Sequence, residues 1–313
     1  MRYVFGPVPS RRLGHSLGVD LVTPKTCSMD CIYCECGPTT ELTVRRACQV
    51  DPDTALSELS EVLAGHPRVD YVTLSGSGEP TLNARLDDVI RGVRALTTAP
   101  VAVLTNGSLM TDDAVCAALD LADVVLPSLD AVSPDAFRRI NRPHPSLDPA
   151  AIARAIADFS REARPQVWLE SVFVRGVNDS DYEVSLLAEA VRAIAPERVH
   201  VNTVVRPPAV DGTFPVGAEG LSSIARRLGE RAEVIAAQPL GRQRGTERTQ
   251  DDVIVAMSRR RPLTAEDVAN ALGTTRARAE EILADLVSRK LLTLVLHDGK
   301  LYHEARPDPG ERP

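Results

Sequence analysis

The chain has 313 residues, of which 43% are hydrophobic and 25% are charged, and its formal net charge is −7. These values exclude a wholly disordered chain and suggest one large domain or two unequal ones. No apolar run reaches the ~18 residues that cross a bilayer, the first residues lack a secretory signal, and the acidic balance argues against a protein that coats polyanions. We therefore expect a cytoplasmic protein that does not enter a membrane.

Between about residues 15 and 235, short β-branched runs alternate with longer helical patterns. The predicted strands are 16–22, 69–74, 101–104, 123–126, 167–174 and 198–205. The predicted helices include 54–63, 86–96, 112–121, 149–159 and 182–194, and helix N-caps are expected at Asp53, Thr111, Ser133 and Ser180. Strands that alternate with helices form parallel βαβ units. Six units are too few for a closed eight-fold barrel, so we predict an α/β fold with a partial (β/α)6 TIM-like barrel, whose ligands bind at the carboxyl ends of the strands.

A second pattern follows the barrel. Helices are predicted at 251–258, 264–272 and 275–292, and a hairpin at 294–297 and 300–303. Three helices followed by a two-stranded wing indicate a winged helix-turn-helix. The predicted organisation is a barrel domain (1–240), a linker (241–250), a winged-helix domain (251–305) and a disordered tail (306–313). Because the barrel pattern ends before the linker, a chain that stops at Gln250 is expected to keep the barrel's sites.

Three cysteines are closely spaced in the loop after the first predicted strand: Cys27, Cys31 and Cys34. Three thiolates on one loop can hold three irons of a 4Fe–4S cube and leave the fourth iron open to another ligand. The alternative is a zinc knuckle with Cys36 as the fourth ligand.

The remaining cysteines are Cys36, Cys48 and Cys116. They are scattered along the sequence, so we predict one cluster and no second one. Cys36 is interpreted either as a redox-active thiol near the cluster or as a spare cysteine, and Cys116 as part of a helix core.

A glycine loop ends the second predicted strand, with Gly76, Ser77, Gly78 and Glu79 in succession. Glycines allow the backbone to approach a ligand closely, and a glutamate offers a carboxylate to an ammonium group. The alternative is a plain strand-to-helix turn.

The cysteine spacing, with Tyr33 just before the third cysteine, resembles that of the radical S-adenosylmethionine (SAM) superfamily. In that superfamily a Gly-Gly-Glu-type motif at the end of the second strand binds the methionine amino group of SAM, and Ser77-Gly78-Glu79-Pro80 is similar to it, with Ser in place of the first Gly. The resemblance implies that Tyr33, Gly76, Ser77, Gly78 and Glu79 contact the cofactor.

Over about residues 3–240 the chain also resembles iron–sulfur oxidoreductases related to wybutosine (wyosine-base) synthesis. The segments that carry this resemblance are Phe5-Gly-Pro-Val-Pro-Ser-Arg-Arg-Leu-Gly14, Val19-Asp20, Pro24-Lys25-Thr26-Cys27, Ser75-Gly-Ser-Gly-Glu-Pro-Thr-Leu82, Leu104-Thr-Asn-Gly-Ser-Leu109 and Ile140-Asn-Arg-Pro-His144. It implies an enzyme with one 4Fe–4S cluster and SAM as cofactors, and a reductant such as flavodoxin or ferredoxin. The implied reaction is reductive cleavage of SAM to a 5′-deoxyadenosyl radical, which abstracts hydrogen from a substrate.

Polar residues near the ends of the later strands are further candidates. Candidates for cofactor binding are Asn106, Ser128 and Asn202, and candidates for catalysis are Asp130, Ser171, Arg175 and Asn178. Each is alternatively a turn or cap residue. An arginine rim is expected from Arg11, Arg12, Arg138, Arg139 and Arg142, with a solvated surface as the alternative.

The substrate is expected to be a tRNA base by analogy, with a peptide or small metabolite as the alternative. A different class of protein, a non-enzymatic iron–sulfur transcription sensor, has no need of the glycine loop or of six βα units. Residues 249–303 carry eight basic and eight acidic side chains, so we expect weak or no generic DNA binding. Peptide docking, dimerisation or substrate delivery are the other interpretations of the winged helix.

Overall fold

The fold is described by a computed structural model that covers residues 3–10, 12–65, 69–235 and 250–306. Its main element is an eight-stranded sheet. The strands, in their order across the sheet, are β1 (Val4–Ser10), β2 (Gly14–Val19), β5 (Tyr71–Leu74), β6 (Val101–Thr105), β7 (Val124–Pro127), β8 (Gln166–Phe173), β9 (Arg198–Thr203) and β10 (Ala232–Val234). All neighbours pair in parallel except β1, which runs antiparallel to β2. Two short strands, β3 (Thr26–Cys27) and β4 (Glu41–Leu42), pair separately within the cysteine-containing loop.

Helices connect the parallel strands. They are α1 (Pro52–Gly65), α2 (Leu86–Leu96), α3 (Asp113–Leu119), α4 (Pro134–Asn141), α5 (Pro149–Glu162), α6 (Asp181–Ile194) and α7 (Ala218–Leu228), with a 3-10 turn at Pro80–Leu82. Each of α2 and α5 buries one apolar stripe, for example Leu86, Val89 and Val93 on α2, against the sheet. The crossover connections between parallel strands place these helices on the outer face of the sheet.

The sheet curls around an interior, because β1, β2 and every strand from β5 to β9 contribute to the wall of one cavity. At the lower end of this lumen, where the strands begin, a small apolar cluster fills the space. Its buried members include Leu13, from the β1–β2 turn, together with Val124, Leu126 and Trp168. We call this cluster the apolar plug. It leaves the carboxyl ends of the strands as the place for a ligand.

Residues 250–306 form a separate small core and are called the C-terminal unit. It contains the helices α8 (Gln250–Ser258), α9 (Ala265–Leu272) and α10 (Arg276–Ser288), followed by the antiparallel hairpin β11 (Leu292–His297) and β12 (Lys300–Ala305). A capping box between Thr264 and Asp267 starts α9, and Gly273 ends it in the left-handed conformation. Helices α8 and α9 pack on the edge strand β1.

The predicted α/β architecture with a mostly parallel sheet is confirmed, and the six predicted strands correspond to β2 and to β5 through β9. The edge strands β1 and β10 were not expected. The N-cap of α3 is Asp112 instead of Thr111, because the Asp112 carboxylate accepts the bond from the Ala114 amide. The predicted linker and tail lie, except for Gln250 and Arg306, outside the described residues. Among the described residues no helix is both long and apolar enough to cross a membrane.

Candidate functional site

Three cysteine thiols from one loop line a cavity of about 400 Å³ at the carboxyl ends of the strands. The sulfurs of Cys27, Cys31 and Cys34 each accept a hydrogen bond from a different nitrogen donor. The donors and their distances to sulfur are Asn106 Nδ2 to Cys27 (3.5 Å), Asn141 Nδ2 to Cys31 (3.4 Å) and Lys25 Nζ to Cys34 (3.2 Å). Such N–H donors stabilise sulfur in its thiolate form, which is the form that binds metal.

The three thiols differ in acidity. The Cys36 thiol beside Cys34 and, against the effect of burial, the Lys25 ammonium lower the pKa of Cys34 to about 6. Burial and the nearby Glu79 carboxylate raise the pKa of Cys27 to about 12, and burial raises that of Cys31. In the metal-free protein Cys27 and Cys31 therefore hold their protons more tightly than Cys34, and metal binding would have to displace those protons.

This donor set fits an iron–sulfur cluster. Three sulfurs on one loop, facing one cavity and supported by N–H donors, supply the three cysteine ligands that a cube with one open iron needs. Among the described residues, no group of three or more His, Cys, Asp or Glu side chains is drawn together closely enough to hold a single metal ion.

The glycine loop packs directly on the cysteine loop. A Cβ atom at Gly78 would lie 2.0 Å from the Thr26 carbonyl oxygen. That same oxygen accepts a hydrogen bond from the Glu79 amide (3.2 Å), and the Lys25 amide donates to the Ser77 carbonyl (3.1 Å). The close backbone approach predicted for these glycines is therefore, in this structure, an approach to the neighbouring loop. Any larger residue at position 78 would push the two loops apart.

Glu79 is buried, with 2% of its surface exposed, and its carboxylate binds the protein itself. Oε1 accepts from the Thr81 amide, the Thr81 hydroxyl and the Thr105 hydroxyl, at 3.0, 2.6 and 2.6 Å. Oε2 accepts one bond, from the Asn106 amide at 2.7 Å. Burial raises the pKa of Glu79, and these bonds oppose the rise. Glu79 thus joins the glycine loop to the end of β6, and only Oε2 has capacity for the ammonium group that the sequence suggested.

Asp130 is a second buried carboxylate, and its oxygens also serve structural bonds. Oδ2 accepts from the Tyr33 hydroxyl (2.6 Å) and from Asn141 Nδ2 (2.7 Å), and Oδ1 accepts from the Val172 amide (2.8 Å). Burial raises the pKa of Asp130 and of Tyr33. Asp130 therefore holds the cysteine loop against α4 and β8. It lines a small void of about 40 Å³ beside the main cavity.

The main cavity brings together most of the predicted cofactor-binding residues and none of the predicted catalytic ones. The predicted residues that line it are Tyr33, Gly76, Gly78, Glu79, Asn106, Ser128 and Asn202, with the three cysteines. Ser77 lies behind the loop on Asp20, and Asp130 lies in the small void.

The other three catalytic candidates have structural partners. The Ser171 hydroxyl donates to the Leu129 carbonyl, Asn178 bonds the Val174 amide and the Val172 carbonyl, and the Arg175 guanidinium stacks on the ring of Phe214. These contacts are with the protein itself, and none of the three residues lines the main cavity.

The arginine rim is not formed as predicted. Arg12 reaches into the lumen and forms an ion pair with Glu170, whose Oε1 also accepts from Asn202 Nδ2 at 3.0 Å. Arg138 and Arg139 lie on the exposed surface near Asp135, and Arg142 pairs with Asp30. Arg11 lies outside the described residues. For Arg12 the physical reason is that the β1–β2 turn places Arg12 and Leu13 against the cavity, whereas the other three arginines belong to α4 and its C-terminal end.

Sequence reasoning missed several residues of the cavity wall. Trp168, Glu170 and Val172 occupy every second position of β8 and share its inner face, and this period of two marks one face of a strand. The C-terminal unit also contributes to the wall, through Met257, Arg260 and Arg261. No local pattern could have placed these three beside a cysteine loop that lies more than 200 residues earlier in the chain.

Comparison with known proteins identifies one family and several relatives. The family model described as the radical SAM superfamily matches residues 21–187. A UPF0026 protein of Helicobacter pylori (strain J99) is 32% identical, covering 93% of this chain and 94% of that protein. The UPF0026 protein MJ1312 of Methanocaldococcus jannaschii is 28% identical, covering 97% and 96%. A protein of Brachyspira hyodysenteriae named GTPase Obg is 32% identical over 91% of this chain. The chain spans only 42% of the length of that relative.

Two solved structures share the fold. A radical SAM methyltransferase from Sphaerobacter thermophilus aligns with a TM-score of 0.52 at 20% identity, over 70% of this chain and 66% of that one. The native anSMEcpe with bound AdoMet aligns with a TM-score of 0.50 at 13% identity, over 68% and 58%. At such identities the likeness concerns the fold alone.

Proposed function

This chain belongs to the radical SAM superfamily, an enzyme superfamily that uses a 4Fe–4S cluster and SAM, and on that premise we propose that Cys27, Cys31 and Cys34 hold the cluster. When bound, the cluster and SAM together supply one-electron reductive cleavage of SAM to methionine and a 5′-deoxyadenosyl radical, which removes a hydrogen atom from the substrate. The observation that carries the proposal is that the three thiols and the glycine loop line the same cavity.

The protein's own groups prepare this chemistry. Asn106, Asn141 and Lys25 each donate to one ligand sulfur and so stabilise its negative charge. The glycine loop presents its backbone and Glu79 Oε2 beside the thiols, where the amino group of SAM would find acceptors. Tyr33 is held by Asp130 and fixes the cysteine loop between Cys31 and Cys34.

We further propose that the cavity shields the reaction from water. The apolar plug closes the lower end of the lumen, and residues of the C-terminal unit cover one side. Enzymes of this kind supply binding, orientation and exclusion of side reactions, while the cofactor supplies the difficult step.

We propose a tRNA base as the first candidate substrate, with a peptide or small metabolite as the alternative. The lumen between the thiols and the plug carries the Arg12–Glu170 pair and Asn202, which can hydrogen-bond a small polar group such as the edge of a base. The segments similar to the wybutosine-related group favour the base. Mass spectrometry of tRNA, peptides and metabolites from a deletion strain distinguishes the classes by showing which one changes.

We also propose a winged-helix assignment for the C-terminal unit, supported by its order of three helices and a hairpin, and a cytoplasmic location with flavodoxin or ferredoxin as the electron donor. Cytoplasmic conditions keep thiols reduced, which suits a cluster held by three free cysteines.

The test of the proposed function is the release of 5′-deoxyadenosine and methionine from SAM by anaerobically reconstituted protein after dithionite reduction. The matched control replaces all three cysteines, Cys27→Ala, Cys31→Ala and Cys34→Ala. A wild-type protein that holds its iron yet releases no more 5′-deoxyadenosine than this control would contradict the proposal and favour an iron–sulfur sensor.

A further inference from the structure

The C-terminal unit buries charged side chains close to the cysteine loop and the glycine loop. The Arg260 guanidinium, with its side chain 11% exposed, lies with Nε 3.5 Å from Oδ2 of Asp20 and stacks on the ring of Phe5 at 4.4 Å from its centroid. The carbonyl oxygen of the same residue lies 2.9 Å from the sulfur of Cys36, in the cysteine loop. Arg260 therefore contacts the barrel through its side chain and its backbone at once.

Asp20 carries this contact to the glycine loop. Its Oδ2 accepts from the Ser77 amide at 3.0 Å and from the Ser77 hydroxyl at 2.8 Å. A Cβ atom at Gly76 would lie 2.2 Å from the Asp20 carboxyl carbon, so the carboxylate packs flat on the loop. Asp20 is 5% exposed. A chain of direct contacts thus runs from Arg260 through Asp20 to the two residues before Gly78.

A second buried charge cluster supports the same interface. Arg206, which follows β9, donates to both carboxylate oxygens of Asp267 at 2.9 and 3.1 Å, and its Nε lies 3.2 Å from Glu35, between Cys34 and Cys36. The Tyr302 hydroxyl donates to the Val205 carbonyl at 2.8 Å. Burying several charges is costly, because desolvation offsets most of the attraction between them. We therefore interpret this cluster as fixing the position of the C-terminal unit and not as a source of stability.

We propose that the C-terminal unit is a fixed wall of the cofactor site and that Arg260 is its positioning residue, holding the glycine loop in the shape that binds SAM through Asp20 and Ser77. This inference rests on the proposed function, since it assigns the glycine loop to SAM. It replaces the expectation that a chain ending at Gln250 keeps an intact site, because such a chain loses the partners of Asp20 and Arg206.

The test compares full-length, anaerobically reconstituted variants. We expect Arg260→Met to weaken SAM binding about tenfold or more, measured by equilibrium dialysis, while iron content stays at the wild-type level. Arg260→Lys, which keeps a cation near Asp20, is expected to restore most of the affinity. Arg278→Met is the matched control, because Arg278 pairs with Glu281 on the exposed surface of the same unit. Should Arg260→Met fail to fold, Asp20→Asn tests the same contact by removing the carboxylate charge that faces Arg260, and it is likewise expected to weaken SAM binding.

A readout without SAM separates this inference from the proposed function. Hydrogen exchange of the peptide that contains Ser77 should become faster in Arg260→Met than in wild type or Arg278→Met, whether or not SAM binds. Wild-type SAM affinity in Arg260→Met would overturn the inference. So would unchanged exchange, equal weakening by Arg278→Met, or loss of iron in Arg260→Met, since the side chain is assigned to the glycine loop and not to the cluster. Failure of the wild-type protein to bind SAM would instead count against the proposed function.

Discussion

The Lys25 ammonium nitrogen lies 3.2 Å from the Cys34 sulfur. The Cys36 thiol and this ammonium group together lower the pKa of Cys34, whereas burial opposes them. In iron-free, reduced protein, the alkylation rate of Cys34 should follow a pH midpoint near 6, because the thiolate is the reactive form and predominates above the pKa. Cys27, with a pKa of about 12, should react slowly at the same pH. Peptide mapping after brief iodoacetamide treatment measures both.

Lys25→Met supplies the comparison for this prediction. Loss of the cation should move the Cys34 midpoint upward, toward the ordinary thiol value of 9.0. A midpoint that does not move would mean that Cys36 alone makes the Cys34 thiol acidic.

Iron content tests the ligand assignment. Wild-type protein should hold about four irons after anaerobic reconstitution, and the triple cysteine variant should lose them, because three thiolates are the platform of the cube. Cys36→Ala and Cys48→Ala should hold nearly as much iron as the wild type. Loss of iron in Cys36→Ala, or tightly bound zinc in anaerobic preparations, would support the zinc knuckle instead.

Glu79→Ala should lower the free energy of unfolding of the iron-free protein by about 3 kcal/mol, as well as weaken SAM binding. The reason is that four buried donors, on Thr81, Thr105 and Asn106, lose their acceptor. Urea denaturation measures the change, and Glu61→Ala, on the exposed face of α1, is the control. A stable Glu79→Ala protein with weak SAM binding would show that the carboxylate acts on the ligand alone.

Asp267→Asn should destabilise the protein by about 3–5 kcal/mol at neutral pH, since it breaks a buried bidentate pair with Arg206. Although burial raises it, the Arg206 guanidinium holds the pKa of Asp267 well below its usual 3.8. The stabilisation is therefore complete above about pH 4 and is lost as the pH falls toward the folded-state pKa. Denaturation curves at pH 7 and pH 3 should show the difference between wild type and variant shrinking in acid, whereas exposed Asp285→Asn should have little effect at either pH.

Full-length protein should bind random duplex DNA no tighter than ~10⁻⁵ M at physiological salt. The two arginines that begin α10 are already paired, Arg276 with Glu280 at 2.8 Å and Arg278 with Glu281 at 2.7 Å. Neutralised side chains release few counterions from DNA, so the electrostatic contribution is small. Fluorescence anisotropy with a labelled duplex measures the affinity. Nanomolar, sequence-specific binding would revive the transcription-sensor hypothesis.

The sequence was informative wherever a local pattern decides the structure. Strand and helix periodicity located six strands, and the spacing of Cys27, Cys31 and Cys34 located the loop that lines the cavity. The short edge strand β10 was missed because three half-buried residues carry no readable alternation. Strand β1 was missed because Gly6, Pro7 and Pro9 obscure the pattern of an edge strand.

The parts of the site that could not be predicted depend on contacts between distant segments. Asp130, Ser171 and Asn178 lie near the ends of strands, as catalytic residues often do. Their hydrogen-bond partners, however, are the Tyr33 hydroxyl for Asp130, the loop after β7 for Ser171 and the backbone of β8 for Asn178. Arg260 gave no signal in the sequence, because only tertiary packing brings it next to Asp20.

The apolar plug of Leu13, Leu126 and Trp168 has a kinetic consequence. Because this cluster packs against the cavity wall, we expect it to obstruct passage at that end, so that cofactor and substrate enter and leave at the carboxyl ends of the strands. We expect the ligand that binds deeper to be trapped by the one that binds after it. A non-reactive analogue of the outer ligand should then slow the release of the inner one. Leu13→Ala, which enlarges the space at the apolar plug, should weaken this trapping by admitting water at that end of the lumen.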